Sequence, residues 1–345
     1  MTDRAPSSLV ELTLTRIRLF FREPSAVFWT FGFPLLLSVA LGVAFRNRPP
    51  QPVVAAIAAG PGAEEALRAV VAAGQKGAVL PVAAARAALR TGKTDVVVLP
   101  GSPRTYEYDP TREDSRLARL VVDDLLQRAE GRRDPTAVAE VTVTEPGSRY
   151  VDFLIPGLLG VNIMSAGMWG IGYVIVETRQ KKLLKRLVAT PMRRSEYLLS
   201  FVILRLLFVF LEIPVLLGFG WLAFSVPVHG SLALLVAISL VGALCFAGMG
   251  LLVACRAQNV QTVGGLINLV MMPMFLLSGV FFSASHFPDL LQPFIRVLPL
   301  TALNDALRLV MNEGLGLAAV GPRLLLLAGL AIVTFAAALR WFRWS

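Results

Sequence analysis

Residues 231–255 read SLALLVAISLVGALCFAGMGLLVAC, an apolar run without a single Asp, Glu, Lys or Arg. A helix needs about 20 mostly apolar residues to cross the hydrocarbon core of a bilayer, where no water satisfies an open backbone. This stretch meets that requirement. So, fully or nearly, do Ala26–Phe45, Val151–Val176, Phe201–Phe224, Thr262–Phe282 and Arg323–Arg340. The 345-residue chain is 55% hydrophobic and 16% charged, with mean hydropathy +0.66, whereas a soluble domain carries about 25% charged residues. The composition argues strongly against an ordinary soluble protein and predicts an α-helical polytopic membrane protein with six transmembrane helices.

Lys and Arg number 33 against 23 Asp and Glu, a net charge of +10 that suits nucleic acid, anionic lipid or the cytoplasmic rim of a membrane protein. The placement of the charges decides. Lys and Arg in short flanks are retained on the cytoplasmic side. With the N-terminus inside, that side holds Arg4, Arg16, Arg18 and Arg22, then Arg179, Lys181, Lys182, Lys185, Arg186, Arg193 and Arg194, and finally Arg256, Arg340 and Arg343. The other side, the long segment 46–150 apart, holds only Arg296, Arg308 and Arg323. Both termini are therefore predicted cytoplasmic in a multi-pass cell-membrane protein, and nucleic-acid binding loses its support. Residues 1–25 read as a cytoplasmic amphipathic segment, and the first span is not a signal peptide, since it is long for one and follows this lead with Glu11 and Glu23.

Segment 46–150 follows the first span (26–45) and precedes the five-helix part (151–345). Its 15 basic and 13 acidic residues nearly cancel, as in a folded, solvated domain. Short apolar runs at Val53–Ala59, Ala78–Val82, Asp95–Leu99 and Val138–Thr144 alternate with helical patterns at Ala63–Ala73, Ala83–Thr91 and Glu113–Glu130. In the last of these, Leu117, Leu120, Val121 and Leu125 share one face. The expectation is a small α/β domain outside the cytoplasm, inserted between helices 1 and 2, with the proline-rich 46–52 as linker.

No chemistry of the usual enzymatic kinds is visible. Cys245 and Cys255 would lie about 15 Å apart on one helix, too far for a disulfide. His229 and His286 fall in outer loops, no metal-ligand spacing occurs, and neither cysteine has a nearby base. Gly92-Lys93-Thr94 has the end of a phosphate-binding loop, but Ala87 stands where the first glycine belongs, so the tripeptide reads as a turn.

The cytoplasmic loop 177–199 is the most informative. Leu183, Leu184, Leu187 and Val188 recur at helical spacing among Lys181, Lys182, Lys185 and Arg186, and Pro191 closes the pattern. Two readings stand: a retained basic loop, or a surface helix that docks a partner. Within the spans, Glu212 is costly in hydrocarbon and must face protein or water. It either lines a translocation path or is paired or protonated. Arg205, two turns earlier, is expected to snorkel toward the headgroups or to bond Tyr197. Asn162, Asn268 and Gln261 are expected to hydrogen-bond between helices, and Met271, Met272 and Met274 either pack or line a path for apolar cargo. Gly157, Gly160, Gly167, Gly170 and Gly172 offer a surface for close helix packing or a dimer seam. Region 283–321 contains Phe287–Ile295 and Leu303–Met311, apolar but too short to cross, and reads as re-entrant or interfacial.

Several stretches together resemble the permease subunits of ABC-2-type ABC transporters. Phe20-Phe21-Arg22-Glu23-Pro24 before Phe28-Trp29 and Phe33-Pro34-Leu35 resembles the entry to that family's first helix. Lys185-Arg186-Leu187-Val188-Ala189-Thr190-Pro191 followed by Arg193-Arg194-Ser195-Glu196 resembles its cytoplasmic coupling segment. Leu277-Ser278-Gly279-Val280-Phe281-Phe282, then Leu298-Pro299-Leu300-Thr301 and Asp305-Ala306-Leu307-Arg308, resembles its last outer connection. Where the family often carries a Gly-Thr pair and an acidic residue, this chain has Lys182-Leu183 and Lys185. The resemblance implies an exporter subunit with no ATPase site or bound cofactor of its own. ATP would be used by a cytoplasmic ABC ATPase partner, and a second permease subunit, identical or not, would complete a dimer in membrane lipid. Glu177, Lys181, Lys182, Leu184, Lys185, Arg186, Leu187, Thr190, Pro191, Arg193, Arg194 and Glu196 would then form the coupling segment. Glu212, Asn162, Met271 and Met274 are candidates for the path, and Pro299, Thr301, Asp305 and Arg308 for an outer gate. The apolar spans suggest amphipathic cargo such as a drug, antibiotic or lipid. A membrane-anchored receptor or assembly protein using 46–150 to bind a ligand or partner is the alternative.

Overall fold

In the computed structural model of the chain, residues 8–44, 52–133, 136, 139, 149–183, 194–284 and 287–342 are described. The chain divides into two units, Met1–Asn47 with Thr144–Ser345, and Arg48–Val143.

Every regular element among the first unit's described residues is a helix. Helix α1 (Ser8–Arg22) precedes α2 (Pro24–Ala44), which starts with Pro24 in the first turn, where a missing N–H costs nothing. Helices α3 to α5 belong to the second unit. In the first unit α6 (Tyr150–Gln180), α7 (Arg194–Phe224), α8 (Leu232–Ala254), α9 (Val260–Leu277), the short α10 (Gln292–Val297) and α11 (Pro299–Met311), and α12 (Leu317–Trp341) follow. Six of these, α2, α6, α7, α8, α9 and α12, are long and apolar enough to cross a bilayer. Ser231 and Asn259 cap α8 and α9, each side-chain oxygen accepting from a backbone N–H in the first turn. Helix α9 ends short of Phe282 because Gly279 turns the chain with φ +66°.

Helix α8 occupies the centre of this unit and packs against α6, α7, α11 and α12. Its approach to α6 is a backbone contact. A Cβ on Gly250 would lie 2.4 Å from Gly167 O, and one on Gly167 would lie 2.7 Å from Phe246 Cβ. Of the predicted glycine surface, Gly157, Gly160, Gly167 and Gly172 are thus used for packing within the chain, whereas Gly170 faces open space. Close to this contact, α6 widens into a π-helical turn, Met168–Tyr173, a feature that recurs at functional sites in helices. The expected re-entrant region is resolved into two parts. Phe294 on α10 is 71% exposed, while α11 is almost wholly buried against α6, α8, α9 and α12.

The second unit contains a four-stranded sheet of order β2-β1-β3-β4, with β1 (Val54–Ala58), β2 (Lys76–Leu80), β3 (Val96–Leu99) and β4 (Thr105–Glu107). β1 is parallel to β2 and β3; β4 is antiparallel to β3. Helices α3 (Ala63–Ala72) and α4 (Val82–Arg90) make the crossovers, and α5 (Glu113–Ala129) follows β4. The period of two along each strand separates the faces: Ala55, Ile57, Val96 and Val98 pack with Val70, Val122 and Leu126, while Ala56 and Val97 pack with Ala85. Gly92, at φ +70°, turns the chain between α4 and β3. The expected strand at 138–144 lies largely outside the described residues.

One helix face is corrected. On α5 the buried residues are Ser115, Ala118, Val122 and Leu126, whereas Leu117 and Leu120 are 58% and 55% exposed. Ser115 sets the rotation, its hydroxyl donating to Asp95 O and accepting from Asp109 N at 2.9 Å.

Candidate functional site

Three groups of predicted residues occupy three places in the first unit. The first is the loop between α6 and α7. Glu177 Oε1 accepts from Lys181 Nζ at 2.8 Å, and this hydrogen bond raises the Lys181 ammonium above its ordinary pKa. Lys182, at φ +56°, breaks the helix. Leu184, Lys185, Arg186, Leu187, Thr190, Pro191 and Arg193 lie outside the described residues, as does the side chain of Arg194, the first residue of α7. Glu196 Oε2 accepts from Ser8 Oγ at 2.7 Å.

Both described ends of this loop are tied to other elements. At the entry, the Arg179 guanidinium donates to Ala254 O at 2.9 Å and to Ala257 O at 2.5 Å, and Gln180 Oε1 accepts from Val260 N at 3.1 Å. Two neighbouring side chains thereby satisfy the last carbonyl of α8, a carbonyl of the turn beyond it and the first amide of α9, helix-end groups being otherwise unpaired. At the exit, Arg16 of α1 donates to Ser200 Oγ at 3.0 Å and lies 3.3 Å over the Phe201 ring and 5.0 Å over that of Tyr197. Burial pulls the Arg16 guanidinium below its ordinary pKa, and Tyr197 opposes that shift. Sequence reasoning missed these anchors. A cation in the last turn of a span is a visible capping signal, but its partners lie about 75 residues away in sequence.

The second place is the middle of α7. Arg205 and Glu212 form a bidentate pair at 2.5 and 2.9 Å, with the side chains 3% and 0% exposed. Arg205 also donates to Ile163 O of α6 at 3.4 Å. The expected snorkelling of Arg205, or its bond to Tyr197, is thus replaced by an ion pair along one helix. Seven residues span about 10.5 Å of axis, which the long Arg side chain bridges by lying along the helix, and leaving either charge alone in hydrocarbon is costlier. Asn162, next to Ile163, is buried, and its Nδ2 has no partner among the described residues. Met274 is buried on α9, Met271 is half-buried, and Met272 is 59% exposed. No hydrogen bond among the described residues links these methionines to the ion pair. Asn268 and Gln261, expected to bridge helices, lie exposed on α9.

The third place is α11, which carries Pro299, Thr301, Asp305 and Arg308 on one 13-residue helix. Arg308 donates to Phe153 O at 3.2 Å and to Gly279 O at 2.5 Å while lying 3.5 Å over the Phe153 ring. Asn304 Nδ2 donates to Ser278 O at 3.3 Å. These two side chains of α11 therefore hold the carbonyls that end α9, and Arg308 joins them to the start of α6. Asp305 faces Arg323 of α12 at 3.7 Å. Thr301 is buried, and its hydroxyl has no partner among the described residues.

Comparison with known proteins agrees with this architecture. The family described as "ABC-2 family transporter protein" matches residues 24–340. The ABC transporter G family member 20 of Dictyostelium discoideum is 28% identical over 194 residues, covering 55% of this chain and 26% of that protein. The probable multidrug ABC transporter permease YbhR of Escherichia coli is 24% identical over 232 residues, covering 66% of this chain and 62% of that protein. The chain thus spans about a quarter of the first relative and about three fifths of the second. With a family match running from the first spanning helix to the last, the chain is a multi-pass membrane protein that belongs to the ABC-2 transporter family.

Proposed function

We propose that the chain is the permease half of an ABC-2-type exporter, moving an amphipathic substrate such as a drug, antibiotic or lipid outward from the cytoplasm or inner leaflet. Two such subunits, identical or not, enclose the path, and a cytoplasmic ABC ATPase docks on loop 177–199. Both termini lie in the cytoplasm, and the sheet-containing unit lies outside it. The observation that carries this reading is the tethering of both ends of the basic loop, by Arg179 and Gln180 to the α8–α9 turn and by Glu196 and Ser200 to α1. A push on such a loop reaches α1, α8 and α9 as well as the flanking α6 and α7, so binding energy spent there can favour one of two packed states over the other. The multidrug description of the Escherichia coli relative supports a drug-like cargo.

The test is co-purification. Replacing Lys181, Lys182, Lys185 and Arg186 together by Gln is expected to weaken recovery of the ATPase with the chain, and unchanged recovery would overturn the docking assignment. Cysteine labelling of intact cells is expected to reach position 112 and to leave position 185 untouched; the reverse pattern would invert the topology.

A further inference from the structure

Helix α5 of the second unit carries two regular faces. Ser115, Ala118, Val122 and Leu126 are turned into the core. The opposite side presents Glu113, Leu117, Leu120, Asp124 and Arg128 in steps of three and four residues, with Val121 beside them, so that they form one ridge. Leu117 and Leu120 are 58% and 55% exposed, and Val121 is half-buried. The ridge is apolar in the middle and charged at both ends.

The two ends differ in sign. Glu113 is exposed, and its carboxylate has no partner among the described residues. At the other end Asp124 accepts from Arg128 Nε at 2.9 Å and also from Arg132, so two guanidiniums there face one carboxylate. Such a pattern complements itself. The midpoint of Glu113 and Arg128 falls between Leu120 and Val121, and so does the midpoint of Leu117 and Asp124. A second α5, antiparallel to the first about a twofold axis through that point, therefore sets its Val121 on Leu120 and its Arg128 on Glu113, about 11 Å from the axis. Parallel packing would set Glu113 on Glu113 and Arg128 on Arg128, like charge on like.

We propose that this ridge is where the sheet-containing units of two copies of the chain meet, through an antiparallel pair of α5 helices. Leu117, Leu120 and Val121 of both copies are covered at its centre. The exposed Glu113–Arg128 pairs add little attraction but fix direction and register. A contact this small persists because both copies are anchored in one bilayer, where the effective concentration of each unit for the other is high. The inference rests on the two-subunit reading above and adds to it that the copies are identical and where their second units touch. It involves no ATPase.

The experiment uses the full chain in lipid nanodiscs under a mild oxidant, its own Cys245 and Cys255 being buried. Leu120→Cys, beside the axis, is expected to give a covalent dimer. Glu113→Cys and Arg128→Cys are each expected to stay unlinked, because like positions lie about 22 Å apart, whereas the variant carrying both is expected to link. Leu117→Asp, at an exposed position that leaves the fold intact, is expected to lower the yield of the Leu120→Cys dimer about tenfold, since a carboxylate is then buried at the centre of the contact. Native mass spectrometry of the unoxidised particles separates two kinds of failure. Two-chain particles in which Leu120→Cys does not link would overturn the α5 contact alone, and single-chain particles would overturn it together with the two-subunit reading. Linking by Glu113→Cys alone, or attachment of the Leu120→Cys thiol to a different polypeptide, would also overturn the proposal.

Discussion

The ion pair in α7 is the most exposed physical claim, because an isolated charge in that position is so costly. Consider Glu212→Met. It removes a carboxylate that is 0% exposed and leaves the Arg205 guanidinium, 3% exposed, with only the long 3.4 Å contact to Ile163 O. Breaking a buried pair from one side costs about 3–5 kcal/mol, because the surviving charge loses its partner without regaining water. Arg205→Met is expected to cost less, since a buried carboxylate escapes by taking up a proton. The double replacement leaves no charge behind and is expected to fall within about 1 kcal/mol of the parent, or to exceed it in stability. The two changes should therefore be strongly non-additive, with a coupling of at least about 3 kcal/mol. The assay is reversible denaturant unfolding of the full chain in lipid–detergent micelles, followed by tryptophan fluorescence for all four proteins. If Glu212→Met costs under about 1 kcal/mol, or if the double variant is as unstable as the two single costs summed, then the pair is not closed in hydrocarbon as described.

Three further expectations follow from the packing. Gly250→Ala would place its Cβ 2.4 Å from Gly167 O and is expected to lower stability by about 1–3 kcal/mol, whereas Gly329→Ala, with nothing within 4 Å, should be neutral or stabilising in a thermal melt. Arg179→Gln removes the donors that hold the end of α8, so hydrogen exchange of amides 255–262 should quicken while the centre of α8 stays protected; unchanged exchange there would contradict the capping role. Arg308→Lys retains the charge but loses the planar fork that spans Phe153 O and Gly279 O, at a cost of about 2 kcal/mol, and a melt equal to that of the parent chain would show that the clamp is dispensable.

The spans were legible because the thickness of the bilayer imposes a length on apolar runs, and a simple window detects it. Helices run past the apolar windows for a visible reason. The span predicted from Phe201 lies in a helix that begins at Arg194, since hydropathy sees only the part of a helix that lies in lipid. The strand Thr105–Glu107 escaped notice because three residues carry no period. On α5 the row of leucines pointed to one face and the hydroxyl of Ser115 chose another. The cations of loop 177–199 were marked by their helical pattern, yet the partners of the side chains that anchor the loop, Arg16, Arg179 and Gln180, lie far away in sequence.

What the sequence determined by itself was how often the chain can enter a bilayer and where its cations gather. Both depend on the transfer of side chains and backbone from water to lipid, a cost set residue by residue with little regard for distant parts of the chain. What only the tertiary structure decided was which buried polar group meets which. Arg205 chose Glu212 over the headgroups, Arg308 chose the carbonyls of Phe153 and Gly279, and Gly250 lay against Gly167. Hydrogen bonds and backbone contacts act over about 3 Å, so their partners are settled by how helices far apart in sequence come to rest on one another.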